Sequence, residues 1–121
     1  MNVDAIQVMP HIGIRLFHSR KKLQKKLQKD GFSVELADVP GQTYSFEGES
    51  GLSISVVLIE CDDTSESTMA LLAHEAVHVA QAYFLSINEY NPSSEFEAYV
   101  LQYITLYLFE EHTKWVEKHS K

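Results

Sequence analysis

The chain has 121 residues with 45% apolar and 22% charged side chains, proportions that fit one globular domain with a modest core. A net charge of −7 argues against non-specific nucleic-acid binding, and the most apolar run, residues 98–109, is too short and too interrupted by Gln102 and Thr105 to cross a bilayer. Cys61 is the only cysteine, which excludes an internal disulfide; with no secretory-type pattern in residues 1–17, the expected location is the cytoplasm.

The charge is uneven. Residues 1–30 hold seven of the ten Lys and Arg against two acids, and residues 31–121 hold three against fifteen. Residues 12–17 (IGIRLF) alternate and predict a first strand. Ser19 is placed to cap a helix from Arg20 to Lys29, with Leu23 and Leu27 on its packed face and the lysines on a solvated one, the alternative being a face for an anionic partner or nucleic acid. Asp30-Gly31 stops it. Phe32, Val34 and Leu36 alternate as a second strand, Pro40-Gly41 is a turn, and residues 43–46 form a short third strand. Gly48 and Gly51 bracket another turn. Residues 52–60 (LSISVVLIE) are the strongest strand, alternating first and then continuously apolar.

Residues 62–67 begin a helix, with Asp63 and Glu66 at capping-box spacing. Met69, Leu72, Ala73, Ala76, Val77 and Ala80 then recur at helical period to about Phe84. Residues 88–92 break the pattern, and Ser93 or Ser94 caps a last helix reaching about Val116. The order β-α-β-β-β-α-α predicts a single α+β domain over residues 1–121: a small, mostly antiparallel sheet packed with helices.

Inside the first long helix lies His74-Glu75-Ala76-Val77-His78. Positions i and i+4 share a helix face, so two imidazoles can converge on one ion at about 2.0–2.1 Å. Glu75, rotated by roughly 100°, is poorly placed to join them but can reach a water on the ion's open side. Zinc lowers the pKa of bound water to about 7, and a neighbouring carboxylate can take its proton. These are the parts of a metal-assisted hydrolysis site, with His74 and His78 as ligands and Glu75 as general base.

Zinc needs a third protein ligand. Glu95 and Glu97 on the last helix are candidates, Glu89 lies in the loop before it, and His112 sits some five turns along. On height alone Glu97 is nearer His78, but it shares a face with Leu101, Ile104 and Leu108, a stripe that should pack inward.

The pair Ala-His-Glu-Ala-Val-His and Glu95-Phe-Glu-Ala98-Tyr99 resembles the minimal gluzincins, zinc metallopeptidases of zincin-like fold. The likeness is greatest to small metallopeptidases encoded by phages and prophages, and it covers roughly residues 52–108. The resemblance implies that Glu95 is the third ligand, that the cofactor is Zn2+, and that the strand at residues 52–60 lines the substrate cleft. It implies a peptide or protein substrate; that no membrane partner is expected follows from the short apolar run instead. The chain departs from the Glu-x-x-Ala-Asp type by carrying Tyr99 where an aspartate often orients a zinc-bound histidine.

Oxyanion stabilisation would fall to Tyr83, Tyr90, Tyr103 or His112, with Tyr90 the first to test because it sits in the turn. His11, His18 and His119 have no partners at metal-ligand spacing, and Cys61 reads as a packed thiol. The expected function is a zinc-dependent metallopeptidase. The alternative is a zinc-stabilised interaction module of phage or prophage origin with little or no catalysis.

Overall fold

The computed structural model describes residues 6–9, 11–48 and 51–119. Its elements are β1 (Ile6–Met9), β2 (Ile12–Phe17), α1 (Arg20–Lys29), β3 (Gly41–Glu47), β4 (Ser53–Ile59), α2 (Glu66–Ser86) and α3 (Ser94–His119). The four strands form one sheet in the order β1-β2-β4-β3. β1 and β2 pair antiparallel, as do β3 and β4, but the central pairing of β2 with β4 is parallel. The sheet is therefore mixed: two of its three pairings are antiparallel, as expected, and the parallel one lies at its centre. The cause lies in β4, whose seven residues are all buried. An edge position would leave the backbone of an apolar strand open to water or to another chain, so β4 takes the interior.

Alternation along β4 divides the core in two. Ile54, Val56 and Leu58 face Leu23 and Leu27 of α1. Val57 and Ile59 pack with Leu72, Ala76 and Val79 of α2 and with Val100, Ile104 and Leu108 of α3. The result is three layers, α1 on one face of the sheet and the two long helices on the other. No helix of the described residues is long and apolar enough to cross a membrane.

The strand expected at Phe32, Val34 and Leu36 does not form. Those three side chains do pack into the α1 layer, so the alternation is real. However, side chains rather than a neighbouring strand meet the segment's backbone. Gln24 donates to the Val34 carbonyl at 2.8 Å, and the Gln42 amide both accepts from the Ala37 N–H (3.0 Å) and donates to its carbonyl (2.8 Å). A half-buried extended chain has the same period as a strand, and only the ladder distinguishes them. β1, conversely, was not foreseen.

Helix ends follow local chemistry closely. Ser19 accepts from the Lys22 N–H at 3.2 Å, and α1 ends in a Schellman motif: Gly31 at φ +89°, with Phe32 N–H donating to the Leu27 carbonyl at 2.8 Å. α2 is capped by Ser65, which accepts from the Thr68 N–H at 3.3 Å, not by the expected pair of Asp63 and Glu66. Asp63 instead accepts from the hydroxyls of Thr68 (2.6 Å) and Ser65 (2.9 Å), and these bonds hold its carboxyl below the ordinary range. α2 runs to Ser86, slightly beyond the expected Phe84, and ends with Asn88 left-handed at φ +58°. Ser93 caps α3, accepting from the Phe96 N–H at 3.2 Å, and α3 continues past Val116 to His119.

His112 is fully buried far along α3 and ties three elements together. Its Nε2 lies 2.7 Å from the Asp63 carbonyl, which can only accept, so that nitrogen carries the proton. Nδ1 then accepts from His18 Nε2 at 2.9 Å, and the His18 ring stacks on Trp115 at 3.8 Å. His18, without a partner at metal-ligand spacing in the sequence, thus has two tertiary ones.

Burial first, then the nearby His112 and His119, pull the His18 pKa down from 6.5 to about 4. Between those values the unfolded chain binds a proton that the folded one refuses. The stability present above pH 6.5 is therefore lost as pH falls toward 4. On a half-buried ring the effect is about 1–2 kcal/mol after solvent screening. His18→Gln retains a donor for His112 but does not titrate. Urea unfolding should show wild type losing more stability than this variant between pH 7 and 4.5; parallel curves would refute the assignment.

Candidate metal centre

On α2 the period of 3.6 residues turns Leu72, Ala76 and Val79 into the core and leaves His74, His78, Gln81 and Leu85 exposed. Glu75 falls on the flank between, facing β3. The helix lies close on that strand, because Gly41 has no side chain: a Cβ there would meet Leu71 Cδ1 and Cγ at 3.0 Å. A recess of about 460 Å³ remains between the two elements, lined by Gly41, Thr43 and Ser45 from β3 and by His74, Glu75 and His78 from α2.

The strand lining this recess is β3, the edge of the sheet. The strand at residues 52–60, expected to border the cleft, is β4, and it is enclosed between β2 and β3. Its continuous apolar character, which made it conspicuous, is what draws it inward. The more polar β3 can tolerate the edge.

His74 Nε2 and His78 Nε2 face each other at 3.3 Å, with ring centroids 4.9 Å apart and planes at 76°. His78 Nδ1 lies 3.2 Å from Gln81 Oε1. An amide oxygen only accepts, so Nδ1 carries the proton and Nε2 keeps its lone pair. Two nitrogens each about 2.0–2.1 Å from an ion in tetrahedral array are about 3.3–3.4 Å apart. The spacing of the pair and the His78 tautomer suit a shared ion.

Glu75 is 2% exposed, and its Oε1 accepts from Thr43 Oγ1 at 2.6 Å. Neither Thr43 nor Gln81 was foreseen. Gln81 could have been read from its place three residues after His78 on the same helix. Thr43 could not, since it reaches Glu75 across 32 positions of sequence.

Among the described residues, no group of three or more His, Cys, Asp or Glu is gathered where it could hold a metal. Glu95 and Glu97 are both exposed in the first turn of α3. Glu97 lines a recess between α2 and α3 with Val77 and Gln81, and Gln81 also borders the histidine recess. Glu95 lines neither. The inward stripe of α3 is Val100, Ile104, Leu108 and His112, with Glu97 at its margin, whereas Glu97 was expected within it.

Tyr99 is 58% exposed and has no hydrogen bond to either histidine among the described contacts. Of the oxyanion candidates, Tyr83 is buried in the core, Tyr103 is exposed, and Tyr90 donates to Asn88 Oδ1 at 3.0 Å in the α2–α3 turn. None of them, nor His112, lines the histidine recess.

Two sets of substitutions probe this arrangement. Gly41→Ala should destabilise by about 1–2 kcal/mol through overpacking, and Leu71→Ala should recover part of that loss in the double variant. Additive effects in denaturant unfolding would show that the contact does not matter. Thr43→Val removes the hydroxyl from a buried carboxylate and should cost about 1–3 kcal/mol, while Thr43→Ser stays near wild type. Equal stability of all three proteins would mean that Glu75 does not depend on Thr43.

No family model, curated protein or solved structure matches the chain, so the site stands on its own geometry.

Proposed function

We propose that the chain is a zinc-dependent hydrolase that cleaves peptide bonds. One observation carries this reading: the facing His74 and His78 nitrogens, 3.3 Å apart, share a recess with the buried Glu75 carboxylate. Zinc held there would polarise a carbonyl and lower the pKa of water to about 7. The chain's own residues have separate tasks. The two Nε2 atoms bind, and Gln81 keeps His78 in the binding tautomer. Glu75 accepts a proton from the attacking water and returns it to the leaving nitrogen. Thr43 holds one carboxylate oxygen and leaves the other for that transfer.

The third protein ligand would come from the first turn of α3. Resemblance to the gluzincins favours Glu95, while its position beside Gln81 favours Glu97. The outer edge of β3, unpaired among the described residues, offers backbone groups to an extended peptide.

Protein purified without metal should gain thermal stability on addition of zinc, by about 2.7 kcal/mol at a hundredfold excess over the dissociation constant. His74→Ala and His78→Ala should abolish that gain, and no gain in wild type would sink the proposal. Glu75→Gln should still bind zinc but cleave a peptide library about 10²–10⁴-fold more slowly. If zinc binds yet both proteins are equally inactive, the metal serves an interaction module instead. Glu95→Gln and Glu97→Gln, compared separately, identify the ligand by which one weakens zinc binding.

A further inference from the structure

Residues 30–113 contain no Lys or Arg and fifteen Asp or Glu, so every cation lies in residues 15–29 or 114–121. The fold brings these two distant groups together. His18, between β2 and α1, stacks on Trp115 and sets the last turns of α3 beside the start of α1. Two recesses share His18 as a wall. One, of about 630 Å³, is lined by Arg20, Lys21 and Lys25; the other, of about 250 Å³, by Arg15, Lys114 and Lys118. Each contains one carboxylate, and each of these is engaged: Glu60 by Arg20 at 2.6 Å, Glu111 by Lys114 at 3.3 Å. Among the described residues no carboxylate pairs with Lys21, Lys25 or Lys118. None of these residues lines the His74–His78 recess.

We propose that this composite face binds the phosphate backbone of a nucleic acid. The net charge of −7 counts against binding by the molecule taken as a whole. Screening reduces that objection, because beyond about 8 Å in physiological salt the acidic remainder acts weakly. Among the described residues, the linings of the two recesses carry six cations against two acids. The acidic remainder also repels a polyanion from every other approach.

The shape suits a polymer. Lys21, Lys25 and Lys29 recur every four residues, a row rising about 6 Å per step along α1, and Lys114 and Lys118 are one such step apart on α3. A membrane surface fits less well. The exposed large apolar side chains lie on α2, the α2–α3 turn and the first half of α3, apart from Val39. None is on α1 or beyond Leu106 on α3, so the basic face has little to insert among lipids. With lysines as the main contacts, binding should ignore base sequence.

The inference does not depend on the metal site. Fluorescence anisotropy with two labelled DNA duplexes of unrelated sequence tests it between about 50 and 200 mM salt. Wild type should bind both duplexes equally, with log affinity falling linearly in log salt. Lys21→Gln/Lys25→Gln and Lys114→Gln/Lys118→Gln should each weaken binding about tenfold or more and flatten the slope by about two. Circular dichroism of these surface variants should match wild type, and a variant that is unfolded is replaced by the two single substitutions. No binding at the lowest salt overturns the proposal, as does binding to phosphatidylserine vesicles without binding to DNA. If the α3 pair has no effect, the composite face is wrong.

Discussion

Strand β4 is buried along its whole length, on both faces and both edges, and the arrangement of the other strands follows from that burial. An apolar strand of this kind must be paired on both sides. β2 takes one side and β3 the other, which makes the central pairing parallel and leaves β3 at the rim. Both long helices then cover one face of the sheet, while α1 and the extended segment after it cover the other.

The edge position of β3 allows a recess to form beside α2. Because Gly41 lets the strand approach the helix closely, the Thr43 hydroxyl comes within 2.6 Å of Glu75. Burying a carboxyl group costs free energy, which the single bond from Thr43 offsets only in part. A Glu that is 2% exposed is therefore a poor choice for stability alone. Its place beside two imidazoles that face each other gives it a chemical use consistent with the proposed hydrolase.

A second set of contacts operates at the other end of the sheet. Asp63 organises the start of α2 through its side chain and receives His112 through its carbonyl. His112 passes the connection to His18, and His18 stacks on Trp115. One chain of polar and aromatic contacts thus joins β2, α2 and α3. It also sets six of the ten Lys and Arg around the two recesses that share His18, and none of their lining residues borders the histidine recess.

Local features were legible from sequence. The spacing of His74 and His78, the caps at Ser19 and Ser93, the stop at Gly31 and the helical period of α2 and α3 depend on residues within a few positions of each other. The α+β class follows from those elements in order. The edge role of β3, the enclosure of β4, the bond from Thr43 to Glu75 and the pairing of His18 with His112 were not legible. These join residues from 6 to 94 positions apart, on different elements. Periodicity reports which face of an element is buried, but not which other element covers it. For the same reason the sequence determined a histidine pair with a carboxylate beside it, and only the tertiary structure decided what surrounds them.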